Sequence, residues 1–249
     1  MIWHSFRNKL LVLFLLVAFV PIALLGYWSM LSSRSALQHQ VEYDLNALLD
    51  ERVNAIESYY HEKKKLLKKM ADHDDVRNAM AQLSTSFSSR QESGSEYKQQ
   101  LKSVSSRLET LTHLGEFSDL YLISPDGDIV FSTQQREDYA TNLGTGPYRN
   151  THLAQIFLRT ISLFDMGISE RRPYAPAGDN LVEFIAVPIF RHMRFNGVLV
   201  AQLDSKLNSK KFSDYNGLGN SGEVVFAEYD GEHAVVISPL RHKTGTTGI

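Results

Sequence analysis

The longest apolar run of the chain lies near its N-terminus. From Leu10 to Leu31 no residue carries a charge, and His4, Arg7 and Lys9 stand just before it. About 20 helical residues rising ~1.5 Å each cover the ~30 Å hydrocarbon core of a bilayer, so this stretch is long enough to span one. Basic residues before the span, and only Arg34 soon after it, predict a cytoplasmic N-terminus with the bulk of the protein on the far side. Pro21 is tolerated inside a spanning helix, and Tyr27 and Trp28 fall where interfacial aromatic residues belong. A cleaved secretory signal would have an apolar core of about 7 to 15 residues before a small-x-small site. The greater length here predicts a retained anchor.

Beyond the span, the pattern stays helical. No glycine occurs between Gly26 and Gly94 and no proline between Pro21 and Pro125, so nothing forces the helix to stop. Leu37, Val41, Leu45, Leu48, Leu49, Val53, Ile56, Tyr60, Leu67 and Met70 recur at steps near three and four, an apolar stripe on a rod of roughly 60 Å from Ser32 to Met70. Two readings stay open: a helix that packs on its own domain, or a parallel dimer rod that transmits motion, with Arg52 and the Lys63 region interrupting a strict heptad. The five lysines between His61 and Lys69 are expected to form a solvated face.

Asp72-His-Asp-Asp75 gathers three carboxylates and an imidazole, but neighbours in sequence rarely converge on one ion. Asp74 or Asp75 is expected to cap a short helix defined by Val76, Met80 and Leu83. A serine-rich loop from Ser84 to Ser95 should follow, then a helix through Tyr97, Leu101, Val104, Leu108 and Leu111 that closes near Gly115. The period then changes to two. Asp119 to Ser124 and Ile129 to Thr133 flank Pro125-Asp-Gly-Asp128, a hairpin turn. A helix is expected over Pro147 to Leu163, with proline in its first turn, and strands over Val182 to Phe190 and Gly197 to Leu203. A second hairpin, Gly222 to Tyr229 and His233 to Ser238 around Asp230-Gly231, suggests the start of another module of the same kind. Helices followed by a meandering antiparallel sheet define an α+β fold.

Composition narrows the partners. With 249 residues and a formal net charge of −2, the chain has length for a substantial extracytoplasmic domain and no basic face for nucleic acid. There is no cysteine, so neither a disulfide framework nor a thiolate metal site can form.

The order of span, rod, hairpin, helix and sheet resembles the double Cache sensor modules of bacterial transmembrane receptors, with a PAS-like sheet in each half. Asp119 to Thr133 is similar to the family's first hairpin, and Pro173-Tyr-Ala-Pro-Ala-Gly178 through Phe184-Ile-Ala-Val-Pro-Ile189 to its Pro-Tyr, Gly and Pro-Ile/Val pattern. Gly197 to Leu203 resembles the closing Gly-Val strand, and Gly217-Leu-Gly-Asn-Ser-Gly-Glu223 the turn that opens the membrane-proximal half. Ser238-Pro-Leu-Arg-His242 resembles a segment of some kinase and cyclase receptors. The resemblance implies five segments: a cytoplasmic tail 1–9, a span 10–31, a signalling helix 32–71, a membrane-distal subdomain 72–204 and an incomplete membrane-proximal subdomain 205–249.

It also implies a distal pocket for a small molecule, lined by Tyr121, Phe131, Tyr148, Arg149, Arg172, Tyr174, Phe184 and Gln202. Each aromatic is also a candidate packing residue, and each arginine a candidate surface charge. Family pockets often take amino acids through an acidic residue on the closing strand. That position is Gln202 here, with Asp204 two residues on, and the family's Arg-x-Trp-Tyr signature is absent, which argues against an α-amino acid.

Catalytic patterns are missing. No Gly-x-Ser-x-Gly elbow and no His-Glu-x-x-His occurs, Gly144-Thr-Gly146 lacks the rest of a phosphate loop, and His242-Lys-Thr-Gly-Thr-Thr247 has histidine where a pump's phosphorylated aspartate would stand. No cofactor and no metal is expected. The reading is an input module of an inner-membrane receptor, sensor domain in the periplasm and homodimeric through the long helix. A second span and an effector are expected beyond Ile249, a sensor histidine kinase by resemblance, with a diguanylate cyclase or methyl-accepting chemotaxis receptor as alternatives. An anchored enzyme and a structural coiled-coil protein are the rivals of other classes.

Overall fold

The structure is a computed structural model that describes residues 6–88, 95–203, 218, 220, 222–229, 234–236 and 241. The chain divides into two units, Met1–Ile56 and Glu57–Ile249, and α1, Phe6–Asp72, is continuous through the boundary with Pro21 inside it. In the first unit, Asn8–Ser33 is long and apolar enough to cross a membrane, and none of it is buried. Leu37, Val41, Leu45, Leu49 and Val53 are exposed as well. Leu67 and Met70 of the same stripe are buried in the second unit.

The second unit is built on an antiparallel sheet. Its strands are β1 Phe117–Ile123, β2 Ile129–Ser132, β3 Gly167–Ile168, β4 Arg172–Tyr174, β5 Asn180–Arg191 and β6 Arg194–Leu203. They lie in the order β2-β1-β6-β5-β3, with β4 also pairing β5. Alternation along the strands sends successive side chains to opposite faces. Leu120, Leu122, Phe131, Ile185, Val187 and Leu199 face the end of α1, α2 (Asp74–Ser88) and α3 (Ser95–Leu114). Tyr121, Ile123, Ile129, Phe184, Ala186, Val198 and Val200 face α4, His152–Leu163. The α+β class read from the sequence is therefore the observed one, as helices on both faces of an antiparallel sheet.

Several local expectations are corrected. Asp74 and Asp75 sit inside the first turn of α2 rather than capping it, and the acceptor of the Asp75 N–H is His73 Nδ1 at 3.3 Å. The carboxylates are spent on arginines: Asp72 binds Arg77 at 2.9 Å, and Asp75 binds Arg107 at 3.0 Å. α2 runs through the expected loop as far as Ser88, and residues 89–94 lie outside the described residues. α4 starts at His152 instead of Pro147 because Thr151 is the cap, its Oγ1 accepting from Ala154 N at 3.3 Å. Lys63 is not part of a solvated face. It is buried and donates to the Gly115 carbonyl at 2.7 Å and to Glu116 Oε2 at 3.0 Å, with its ammonium against the Tyr59 and Phe117 rings.

Long-range contacts fix the first hairpin and the approach of α2 to the central strand β6. The segment after β2 folds back on the first hairpin: Ile129 N donates to Thr141 O at 2.9 Å and Leu143 N to Gly127 O at 2.8 Å. Asn142 pins it, donating to Asp128 Oδ1 at 2.8 Å and to the Asp126 carbonyl at 2.9 Å. On β6, Gly197 has φ +135, and a Cβ there would collide with Met80 of α2 and the Ile123 carbonyl, so only glycine fits. The second hairpin is present as β7 Ala227–Tyr229 paired antiparallel with β8 Ala234–Val236. Its turn at Asp230-Gly231, Gly217, Gly219 and Ser221 of the Gly217 to Glu223 stretch, and Ser238 to His242 apart from Arg241 lie outside the described residues.

Candidate functional site

The α4 face of the sheet carries a polar and aromatic cluster. Tyr174, at the end of β4, is fully buried, because the chain turns there into a short 3-10 helix, Ala175–Ala177, closed by Gly178 at φ +69. Its ring meets those of Phe184 at 5.1 Å, His152 at 5.5 Å and Tyr148 at 6.5 Å. Phe184 in turn packs on Tyr121 at 6.1 Å and on His152 at 5.0 Å. These separations and tilted or edge-on angles are favourable aromatic geometries.

Around the rings lie the polar groups. Asp138, on the fold-back segment, is buried, and its Oδ2 accepts the Tyr174 hydroxyl at 2.6 Å. Gln202 Oε1 accepts from Arg136 Nη1 at 3.0 Å and, more weakly, from the Tyr121 hydroxyl at 3.4 Å. Asp119 is also buried, but its oxygens are filled: Ser132 Oγ at 3.0 Å, Thr133 N at 2.9 Å, Gln134 N at 3.2 Å and Leu120 N at 2.8 Å. That carboxylate fixes the exit of β2.

Titration behaviour follows from burial. Burial raises the Tyr174 hydroxyl far above its usual range, and the neighbouring Asp138 carboxylate adds to it. Burial and the Asp119 and Asp138 charges act likewise on Tyr121, opposed by Arg136. His152 is pulled down to about 4, chiefly by burial. Burial raises the Asp119 carboxyl, while its hydrogen-bond donors pull it back. At neutral pH both tyrosines are therefore hydroxyl donors and His152 is an uncharged imidazole.

Tyr121, Tyr148, Tyr174, Phe184 and Gln202 of the expected pocket residues come together in this cluster. The other three do not. Phe131 lies on the opposite face, in the core under the helices. Arg172 is exposed and bound to Glu170, and Arg149 is exposed at the surface. Asp204 lies outside the described residues.

Comparison with known proteins gives likenesses of fold. No family model matches the sequence, and no curated protein matches it. In structure the chain is similar to receptor sensor domains. One is the sensor domain of the V. cholerae histidine kinase DctB, at 17% identity and a TM-score of 0.40 over 65% of this chain and 59% of that one. A second is the ligand-binding domain of the Pseudomonas fluorescens chemoreceptor CtaA in complex with L-valine, at 16% and 0.41 over 66% and 61%. A third is that of the Pseudomonas aeruginosa PAO1 amino acid chemoreceptor PctC in complex with GABA, at 14% and 0.36 over 64% and 57%. The chain thus spans about three fifths of the length of each.

Sequence reasoning misses Asp138, His152 and Arg136. Asp138 stands in the polar stretch Gln134-Gln-Arg-Glu-Asp138, which reads as an ordinary loop, and its burial depends on the long-range pinning by Asn142. His152 opens α4, a position that the proline at 147 obscures by imitating a helix start.

Proposed function

We propose that the chain is the extracytoplasmic ligand-sensing region of a membrane-bound signalling receptor, with the recognition site at the Tyr174 cluster. The observation that carries this reading is Asp138: its carboxylate is wholly buried, one oxygen is bound to Tyr174, and Oδ1 has no hydrogen-bond partner among the described residues. An unmatched buried charge is costly, and its retention beside a set of tilted aromatic rings is the signature of a group kept for a ligand. The helix from 10 to 31 would be the anchor, with 1–9 in the cytoplasm, the sensor in the periplasm and the inner membrane as its site. Residues 32–71 would be a signalling helix that pairs with a second copy along the exposed stripe Leu37 to Val53. Residues 72–204 would be the distal sensor and 205–249 the opening of a proximal module. The motif order supports a sensor histidine kinase as the whole protein, with a diguanylate cyclase or methyl-accepting chemotaxis receptor as alternatives.

A ligand that binds the folded state stabilises it by RT ln(1 + [L]/Kd), about 2.7 kcal/mol at a hundredfold excess over Kd. The test is a thermal-shift screen of the full chain in lipid nanodiscs against a small-metabolite library. Saturable stabilisation that is lost in Tyr174→Phe supports the reading. A library with no stabilising compound, or a shift indifferent to Tyr174, overturns it.

A further inference from the structure

We propose that the tip of the β5–β6 hairpin, with the adjoining end of α4, is a docking surface for a second protein that presents an apolar socket edged by carboxylates. The surface is separate from the Tyr174 cluster, and the proposal does not depend on a ligand there.

Outside α1, exposed large apolar side chains concentrate at this place: Leu163 and Phe164 at the end of α4, Phe190 near the end of β5 and Met193 in the turn. Three rings hold one another. Phe164 lies 5.4 Å from Phe195 and 6.0 Å from Phe190, and Phe190 lies 6.1 Å from Phe195, all tilted or edge-on. The rings are thus fixed before a partner arrives, so binding costs them little rotamer freedom. His192 and Met193 form the two-residue turn at φ +49 and +61, a conformation usually given to Asn-Gly. Met193 is 98% exposed there and contributes no packing to the domain. An apolar patch edged by charge on an otherwise soluble surface marks an interaction site.

The charge beside the rings selects the partner. Arg191 and Arg194 are paired across the hairpin and exposed, and neither has an ion pair or hydrogen bond among the described residues. Like charges directly opposite each other weaken a strand pair. Carboxylates arriving from outside relieve that repulsion and match the planar guanidinium forks. Asp165, beside Phe164, is exposed, and its Oδ1 accepts the Met166 N–H.

The same charge disfavours other occupants. A second copy docked symmetrically would set these arginines against their own kind. Residues 205–216 of this chain carry Lys206, Lys210 and Lys211 against Asp214 alone, so they too would be repelled. An anionic lipid surface attracts lysine as well as arginine, yet no lysine occurs between Lys102 and Lys206. Phenylalanine, methionine and arginine without lysine are the composition favoured at protein interfaces.

The experiment places a photo-crosslinking amino acid at Met193 of the full chain in the cells that naturally make it. Cross-linked protein is identified by mass spectrometry, purified and titrated calorimetrically against the full chain in nanodiscs. We expect a different protein to be captured, to bind wild type saturably and to bind Arg194→Glu at least tenfold more weakly. Arg194→Glu also places a carboxylate opposite Arg191, so its melting temperature should equal or exceed that of wild type. A lost interaction in an undiminished fold is what separates docking from a structural role. If Arg194→Glu shows no cooperative melting, Met193→Asp replaces it with the same binding expectation. Cross-links only to a second copy, to residues 205–249 of the same chain or to lipid overturn the proposal. An absence of cross-links overturns it as well, and so does a captured protein that binds wild type and variant equally.

Discussion

Tyr174 donates its hydroxyl hydrogen to Asp138 Oδ2 across 2.6 Å, joining the end of β4 to the segment that folds back after β2. A neutral donor on a buried carboxylate is worth ~1.5–3 kcal/mol. Tyr174→Phe should lower stability by about that amount while the ring packing on Phe184 and His152 is kept. Tyr174→Ala would add a cavity and cost ~3–5 kcal/mol, so the phenylalanine variant isolates the hydroxyl. Urea unfolding midpoints of the two variants check the difference.

Burial holds the His152 pKa at about 4, below the ordinary 6.5. Between those values the unfolded chain binds more protons than the native one, so stability is full above about pH 6.5 and is lost as pH falls towards about 4. The slope from this one group is at most about 1.4 kcal/mol per pH unit, and solvent near the ring reduces it. His152→Gln should remove that component. Comparing urea midpoints at about pH 4.5 and about pH 7 for wild type and variant measures it.

Gly197 lets β6 pass under Met80 with φ +135. Gly197→Ala meets both a side chain and a carbonyl oxygen and also forces an L-residue into a disfavoured backbone region. Overpacking alone costs ~1–3 kcal/mol, and the strained φ adds to it. A loss of more than about 2 kcal/mol is expected, and a melting temperature within a degree of wild type would contradict it.

Glu183 is shared by two partners, accepting the Tyr60 hydroxyl at 2.8 Å and Arg171 Nε at 3.1 Å, with the ion pair only 4% and 9% exposed. Breaking a buried ion pair from one side costs ~3–5 kcal/mol. Glu183→Ala should therefore destabilise far more than Tyr60→Phe, which loses one hydrogen bond of ~1.5–3 kcal/mol. Denaturant titration of both variants ranks them.

Elements with a strong period are legible in the sequence. The uninterrupted α1, the hairpin about Pro125 to Asp128 and the long strands β5 and β6 all follow from spacing and turn residues. β3 and β4, two and three residues long, are too short to show alternation. Pro147 imitates a first-turn proline and so misplaces the start of α4, whose cap is Thr151. Lys63 reads as one charge among many, yet α1 turns it towards the carbonyl end of α3, where an ammonium satisfies an orphan C=O. Of the site, the rings are visible as motif residues. Asp138 and His152 are not, since their burial is created by contacts between distant segments.

The neighbours Glu183 and Phe184 point to opposite sides of β5: the acid meets Tyr60 and Arg171, and the ring closes on Tyr121 and Tyr174. A slip of one residue in the pairing would thrust the carboxylate among aromatic rings and offer a phenyl group to a guanidinium and a phenol. Misassembled chains are thus penalised on both sides of the sheet at once.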